Sequence, residues 1–263
     1  MKSTRFFHLF LAEVILLLTI AVGTAAADPE ARSRFYMPVV TSGTQDSIHC
    51  DLNQSNYGSL SVNGSPQQGD PETNANMNLG YRGYEENSAA RKLVTLGPVW
   101  DKKAPQFPGM FGDRRTARIS RTYQRYRWDY DCDCPIDSYS PYETTVIGLA
   151  VSPGEKIYTP DSGYDIGGGY EYQVMYAGES GITLYIGRDD DYHGYVVHID
   201  DVCVDPDLVK LYRKLHKAGR EELPALGGHE AFGRALNSEI KVAVRDTGHF
   251  LDPRSRNDWW QGR

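Results

Sequence analysis

Hydrophobic positions in the second half of the chain occur in short runs that glycine-rich turns separate. The runs lie at 144–151, 156–158, 170–176, 182–186 and 195–199. Runs of this length, rich in Val, Ile, Thr and Tyr, are typical of antiparallel β-strands. Because side chains alternate along a strand, His198 and Asp200 are predicted on one face of the last run and Val197 and Ile199 on the other.

One segment has the period of a helix instead. Asp205 suits the N-cap, Pro206 suits the first helical position, and Gly219 follows the expected end. The apolar positions of one face are Leu208, Leu211, Tyr212 and Leu215. This spacing of three and four residues predicts an α-helix over 206–218, inserted among the strands.

The first half has weaker patterns. Residues 51–90 are rich in Asn, Gly, Ser, Gln and Pro, which predicts loops, and strands are predicted at 91–99 and 116–128. The fold class is therefore mostly β, with an antiparallel barrel or sandwich at the C-terminal end. The predicted segments are a signal peptide at 1–27, a tether at 28–45, a loop-rich β region at 46–140 and the β domain at 141–263.

The N-terminal residues indicate export. Lys2 and Arg5 precede an apolar run at 6–22, and Ala25 and Ala27 supply an A-x-A cleavage site. This arrangement predicts a secretory signal peptide and an extracellular location. The alternative is an uncleaved anchor, although the run barely reaches the thickness of a bilayer. The net charge of −7 argues against nucleic acid as a partner.

Four cysteines, an even number, predict two disulfides in an exported chain. Cys132 and Cys134 are two residues apart, so a bridge between them would be strained. We therefore expect each of them to pair with Cys50 or Cys203. The alternative is a zinc site made by the four cysteines, although their spacing does not match paired C-x2-C motifs.

Six arginines lie close together in the sequence before Cys132. They are Arg114, Arg115, Arg118, Arg121, Arg125 and Arg127. Interleaved with Tyr123, Tyr126 and Trp128, they could bind an anionic polymer. The interpretation we favour is a solvated strand face whose arginines pair with nearby acidic residues.

A polar turn offers a candidate metal site. Asp189, Asp191 and His193 could bind Ca²⁺ through carboxylates, or Zn²⁺ with help from the histidine. The turn lacks the D-x-D-x-D-G pattern of a calcium loop, so a plain polar turn is the alternative. No cofactor is expected apart from this possible ion.

Tyrosines offer a candidate ligand surface. Tyr170, Tyr172, Tyr192 and Tyr195 lie close together in the sequence, and flat phenol rings stack well on sugars. The alternative is that these rings fill a core poor in Leu and Ile.

Residues 144–260 resemble the M23 family, the LytM-type zinc endopeptidases. The similar motifs are Val174-Met175-Tyr176-Ala177-Gly178, the strand 194–200, the late strand Glu239–Val244, Arg245-Asp246-Thr247-Gly248 and Asp252-Pro253. The resemblance implies a β domain that closes with a hairpin. It would also imply a zinc peptidase centre.

The zinc ligands of that family are missing here. The family binds zinc through His-x3-Asp and through a His-x-His on the late strand, where this chain has Glu239-Ile240-Lys241. A protonated lysine cannot bind zinc. No histidine lies between Cys50 and Tyr192, so no upstream His-x3-Asp replaces the pair.

The sequence therefore supports three hypotheses. The first is a secreted, non-catalytic β-rich protein that binds glycan or another component of the cell envelope or extracellular space. The second is a metal-dependent hydrolase of cell wall or polysaccharide, with its metal near Asp189. The third is a disulfide-stabilised accessory protein that binds a protein partner through Arg121 and Arg125.

Overall fold

A computed structural model describes residues 48–54, 56–62, 70–187 and 194–262. The strands are β1 Gly58–Ser61, β2 Tyr84–Glu86, β3 Ile119–Arg125, β4 Trp128–Asp129, β5 Cys134–Pro135, β6 Val146–Ala150, β7 Lys156–Tyr158, β8 Tyr172–Ala177, β9 Gly181–Gly187, β10 Gly194–Asp200, β11 Val202–Val204, β12 Glu222–Leu226, β13 Ala231–Ala235, β14 Glu239–Asp246 and β15 His249–Phe250. The helices are α1 Leu79–Arg82, α2 Pro206–Lys217 and α3 Arg256–Trp259, with 3-10 turns at Pro71–Thr73 and Phe107–Met110. The mostly β class is confirmed.

The strands form three antiparallel sheets. The main sheet has the order β1-β12-β8-β9-β10-β14-β6-β3-β2, with β15 paired to β14. A second sheet has the order β11-β13-β7, and β4 and β5 form a hairpin. The main sheet runs from one edge strand to another, so among the described strands it is open and is not the closed barrel that we gave as one possibility. Strands from both predicted regions share this sheet, since β3 pairs with β6.

The core lies between the main sheet and the smaller sheet. Ile147, Leu184 and Val242 from the main sheet share one cluster with Ile157 and Phe232 from the smaller sheet, and all five are fully buried. The alternation along each strand puts its apolar side chains on this face. A two-sheet sandwich therefore describes the packing.

The opposite face of the main sheet is covered by the chain around α1. Thr183 on β9 donates a hydrogen bond to the carbonyl of Met77. A second, smaller apolar cluster forms there from Leu79, Tyr123, Val146, Ala243 and Phe250. This face also carries the charged side chains described below.

Helix α2 confirms the helix predicted at 206–218. The Asp205 carboxylate accepts a hydrogen bond from the Asp207 amide at 2.8 Å, which caps the N-terminus. The Tyr212 hydroxyl donates to the Met175 carbonyl at 3.1 Å and so fixes the helix to β8. No described helix is long and apolar enough to cross a membrane.

The disulfide prediction was right about the four cysteines and wrong about their pairing. Cys50 bonds to Cys203, and Cys132 bonds to Cys134. The short bridge is possible because β4 and β5 fold into a tight hairpin. Asp133 adopts a φ of 50°, and the two Cα atoms lie 5.3 Å apart, inside the ordinary disulfide range. Two disulfides are consistent with an oxidising or extracellular compartment.

The strand predicted at 91–99 is absent from the structure. Val94 makes one isolated parallel bridge to Ser255, and the rest of the segment is irregular. Gly97 has a φ of 72° and Pro98 follows it, so the chain turns where a strand would need to continue.

Candidate functional site: an arginine pocket on the sheet

The face of the main sheet opposite the core is charged along β14. Ile240, Val242 and Val244 point into the core. Lys241 and Arg245 alternate with them and therefore lie on the other face. The two ends of this strand carry two different clusters, one built on arginines and one on carboxylates.

Four arginines line a cavity of about 490 Å³ at the end of the strand near Arg245. We call this cavity the arginine pocket, and its basic residues are Arg82, Arg125, Arg127 and Arg245. They come from α1, from the end of β3, from the link to β4 and from β14. The fold thus collects cations that are up to 163 positions apart in the chain.

Phe250 is the centre of this arrangement. The guanidinium carbons of Arg82, Arg125 and Arg245 lie 5.3, 5.4 and 5.1 Å from the centroid of its ring. Cation–π attraction offsets part of the repulsion among the three charges. The turn through Thr247 and Gly248 folds β15 back on β14, so that Phe250 pairs with Arg245.

Neutral oxygens orient Arg82, which is buried, and Arg245, which is partly buried. Arg82 donates to the carbonyls of Ala75 and Tyr126 at 2.6 and 3.1 Å and to the Asn76 side-chain oxygen at 3.0 Å. Arg245 donates to the Asn76 carbonyl at 2.8 Å. These bonds fix each guanidinium but leave its full positive charge uncompensated.

Arg125 is the least satisfied member of the pocket. One of its terminal nitrogens donates to the Tyr139 carbonyl at 3.3 Å, while its Nε is buried and has no partner among the described residues. Arg127 differs, because Asp137 accepts two hydrogen bonds from it at 2.6 and 2.5 Å. Within the described chain, no carboxylate forms an ion pair with Arg82, Arg125 or Arg245.

Burial and mutual repulsion act on these cations. Burial, followed by the charge of Arg82, lowers the pKa of Arg245 to about 10. Burial and the charges of Arg82 and Arg127 also lower the pKa of Arg125. All three groups remain protonated at neutral pH, so the pocket concentrates positive charge in a partly dry site.

Exposed tyrosines border the pocket. Tyr130 is 66% exposed and its hydroxyl donates to the Asn76 side-chain oxygen at 3.0 Å. Tyr139 is 69% exposed, and the guanidinium of Arg127 lies 6.0 Å from its ring centroid. A ligand whose charged group enters the pocket would therefore meet flat rings at its entrance.

The carboxylate cluster occupies the other end of β14. The Lys241 ammonium pairs with Asp201 and lies 3.9 Å from Glu239, which accepts a hydrogen bond from Tyr123 at 2.6 Å. The side chains of Lys241 and Glu239 are only 15% and 11% exposed. Glu239 and Lys241, which the predicted resemblance would put at the zinc-ligand position of the M23 family, therefore belong to a mostly buried ion-pair network. The resemblance to that family stays a prediction.

Asp200 belongs to the same cluster and has a perturbed pKa. Its carboxylate lies against Gly80 and Gly181, where Cβ atoms would come within 3.6 and 2.7 Å of its oxygens. Burial and the neighbouring charge of Asp201 raise its pKa to about 7, and Lys241 opposes the shift. The folded protein therefore holds this proton more tightly than the unfolded chain does.

We expect Asp200→Asn to flatten the dependence of stability on pH. The stability that protonated Asp200 contributes is fully present below its unfolded pKa, 3.8, and is lost as pH rises through about 7. One linked proton changes the free energy of unfolding by at most about 1.4 kcal/mol per pH unit. Urea unfolding at several pH values in this interval measures the slope. A variant that keeps the wild-type slope would contradict this assignment.

His198 lies on the same face of the main sheet as Asp200, which the alternation with Val197 predicts. It is fully buried, its Nδ1 lies 2.9 Å from the Thr183 hydroxyl, and its ring stacks on Phe250. Burial and the charges of Arg245 and Arg82 hold its pKa well below the ordinary value. The imidazole is therefore neutral and supports the floor of the pocket.

The predicted metal residues Asp189, Asp191 and His193, and the predicted binding residue Tyr192, lie outside the described residues. Within the described ranges, no three His, Cys, Asp or Glu side chains are grouped so that they could hold a metal.

The other predicted binding tyrosines do not form an exposed surface. Tyr172 and Tyr195 are 0% and 4% exposed, and the Tyr195 hydroxyl donates to Asp101 at 2.8 Å. Tyr170 is half-buried and packs over Gly58. The core interpretation therefore describes Tyr172 and Tyr195, because their positions on β8 and β10 face the sandwich interior. Among the tyrosines that the structure describes, the exposed ones are Tyr130 and Tyr139.

Most of the arginine-rich stretch follows the favoured interpretation. Arg114 pairs with Asp161, and Arg115 pairs with Glu155. Only the last two arginines of the stretch line the pocket. Arg82 and Arg245 were not predicted as site residues, because the sequence pattern puts Arg82 in a predicted loop region and Arg245 in the closing hairpin motif. Only the fold brings α1 and β14 together at the pocket.

In comparisons with protein-family models, with curated proteins and with solved structures, this chain has no match.

Proposed function

We propose that this protein is an exported, non-catalytic binding protein whose arginine pocket holds an anionic group of an acidic glycan. The observation that carries the proposal is the set of three guanidinium groups around Phe250 without a carboxylate partner in the described chain. Cations that are buried or partly buried without counter-charge are costly, so a fold that collects them is suited to an anion supplied from outside.

The geometry favours a carboxylate or sulfate on a sugar. Guanidinium groups bind planar or tetrahedral oxyanions through paired hydrogen bonds. Arg125 supplies such donors, because the Tyr139 carbonyl, at 3.3 Å from one terminal nitrogen, is the acceptor that its guanidinium has among the described residues. The exposed rings of Tyr130 and Tyr139 supply faces on which the attached sugar can stack.

Binding, and not turnover, is the proposed role. The four arginines that line the pocket stay protonated at neutral pH, so none of them can serve as a general base there. His249 also lines the pocket and adds a side chain that can donate a hydrogen bond to an anion. An exported binding protein is also what the two disulfides and the predicted signal peptide suggest. The proposed location is the cell envelope or the extracellular space.

Replacing one pocket arginine is expected to weaken binding of an acidic polysaccharide. Arg245→Met and Arg125→Met should each raise the Kd about 10- to 100-fold, because a hydrogen bond to a charged group contributes about 1.5–3 kcal/mol. Isothermal titration with a polyuronate and with a sulfated polysaccharide measures the effect. A neutral glucan is the comparison ligand.

The matched control removes the same charge outside the pocket. Arg118 is exposed and precedes β3, so Arg118→Met should leave the Kd within about twofold, as exposed single charges contribute little. Because the pocket cations repel one another, Arg125→Met should not lower the free energy of unfolding. Equal affinity for the neutral glucan, or equal loss in Arg118→Met, would overturn the proposal.

A further inference from the structure

A second surface feature lies apart from the arginine pocket. The segment 96–100, Leu-Gly-Pro-Val-Trp, is exposed along its whole length, and we call it the Trp100 loop. Trp100 is 80% exposed, and Leu96 and Val99 are 38% and 37% exposed. The other tryptophans, at positions 128, 259 and 260, are all buried. The chain thus places one tryptophan in water together with two aliphatic side chains.

The loop is held in this position by the C-terminal segment. The Val94 amide donates to the Arg254 carbonyl at 3.1 Å, and the Arg256 amide donates to the Val94 carbonyl at 2.8 Å. Asn257 donates to the Gly97 carbonyl at 2.6 Å. Since these bonds tie both the base and the tip of the loop to the chain before and within α3, the exposure of Trp100 is a fixed feature of the fold.

Cations flank the loop. Lys92 and Lys102 are exposed on either side of it, and Arg256 is exposed on the helix that supports it. The acidic residue that follows Trp100 is turned inward, because the Asp101 carboxylate accepts hydrogen bonds from Tyr164 and Tyr195 at 2.9 and 2.8 Å. An apolar tip with positive charge around it therefore faces outward.

We propose that the Trp100 loop inserts into the headgroup region of an anionic lipid surface. Tryptophan with aliphatic neighbours and flanking lysines is the composition that membrane interfaces favour. A protein partner is less suited to this feature, since a stable protein interface needs about 800 Å² on each side and a five-residue projection offers far less. Local cations add attraction to acidic headgroups.

The test measures Trp100 directly in the full chain. Vesicles of phosphatidylcholine alone are compared with vesicles of equal parts phosphatidylcholine and phosphatidylglycerol, each with brominated acyl chains. Because the other tryptophans are buried, Trp100 is the tryptophan whose fluorescence responds to the lipid. Quenching of this fluorescence by the bromine atoms and a blue shift of its emission maximum both report insertion of Trp100. We expect both signals with the anionic vesicles, and about fivefold weaker binding for each of Lys92→Glu and Lys102→Glu.

Matched variants separate the loop from the pocket and from other exposed apolar side chains. Trp100→Ala should lower vesicle affinity about tenfold or more, while Ile136→Ala, at another exposed apolar side chain, should leave it unchanged. Arg245→Met should also leave Trp100 quenching unchanged, which distinguishes this inference from the proposed glycan site. Absence of quenching with anionic vesicles, or equal binding by Trp100→Ala, would overturn it.

Discussion

Replacing Arg254 by methionine is expected to lower the free energy of unfolding by about 3–5 kcal/mol, because it leaves a buried carboxylate unpaired. Arg254 is 1% exposed and its guanidinium lies 2.7 Å from the carboxylate of Asp252, which is 2% exposed. It also donates to the Ala90 carbonyl at 2.9 Å and to Glu143 at 2.8 Å. One side chain therefore links the C-terminal segment to two loops.

Urea unfolding of the variant measures this change in the free energy of unfolding. Two further variants test whether the loss of the buried ion pair causes it. Arg91→Met removes an exposed ion pair with Glu86, so it should cost less than about 1 kcal/mol. Asp252→Asn combined with Arg254→Met should recover part of the loss, since no buried charge is then unpaired. A loss at Arg254 no larger than that at Arg91 would show that the buried pair is not what holds this region.

Removing the Cys50–Cys203 bridge, with serine at both positions, is expected to lower the free energy of unfolding by about 4–5 kcal/mol. This bridge joins residues 153 positions apart, and the Cys132–Cys134 bridge joins residues two positions apart. A cross-link restricts the unfolded chain more when it closes a longer loop. The short bridge should therefore contribute much less, on the order of 1–2 kcal/mol.

Unfolding of the two double-serine variants in urea, without reductant, gives the comparison. Loss of the long bridge should also free the segment before β1, which is held by a 3.0 Å hydrogen bond from the Leu52 amide to Asp205. Hydrogen exchange at Leu52 follows that release. Equal destabilisation by the two variants would contradict the loop-length explanation.

Strand and helix positions in the second half could be predicted because local patterns determine them. The strand at Lys156–Tyr158 and the helix α2 lie where the apolar spacing and the capping residues placed them. Strands β1 and β12, which pair with each other, were not predicted. β1 is an edge strand of mostly small residues whose exposure alternates, and β12 contains Pro224, which is atypical of a strand interior.

The errors have physical reasons of the same kind. Cys132 and Cys134 were each predicted to pair with another cysteine, because two cysteines separated by one residue rarely form a disulfide. The tight hairpin, with Asp133 at positive φ, makes the Cys132–Cys134 disulfide possible. The segment 91–99 has strand-like composition, but its main chain bonds to the C-terminal segment instead of a neighbouring strand. Both outcomes depend on tertiary contacts.

The arginine pocket could not be predicted from spacing. Arg125 was a candidate as part of a basic run, but Arg82 and Arg245 come from α1 and from the hairpin before β15, and no local pattern relates them. Their meeting depends on the order β10-β14-β6-β3 in the main sheet and on the coverage of that face by α1. A binding site of this type is a property of the topology.

The most direct test of the arginine pocket is a crystal of the protein soaked in selenate, with the anion located from its anomalous signal. The pocket should hold selenate between Arg82, Arg125 and Arg245, with an oxygen within hydrogen-bond distance of a terminal nitrogen of the Arg125 guanidinium. The same soak of Arg245→Met should show the site empty or weakly occupied. An unoccupied pocket in the wild-type crystal, with Arg125 Nε bonded to a protein acceptor, would contradict the account.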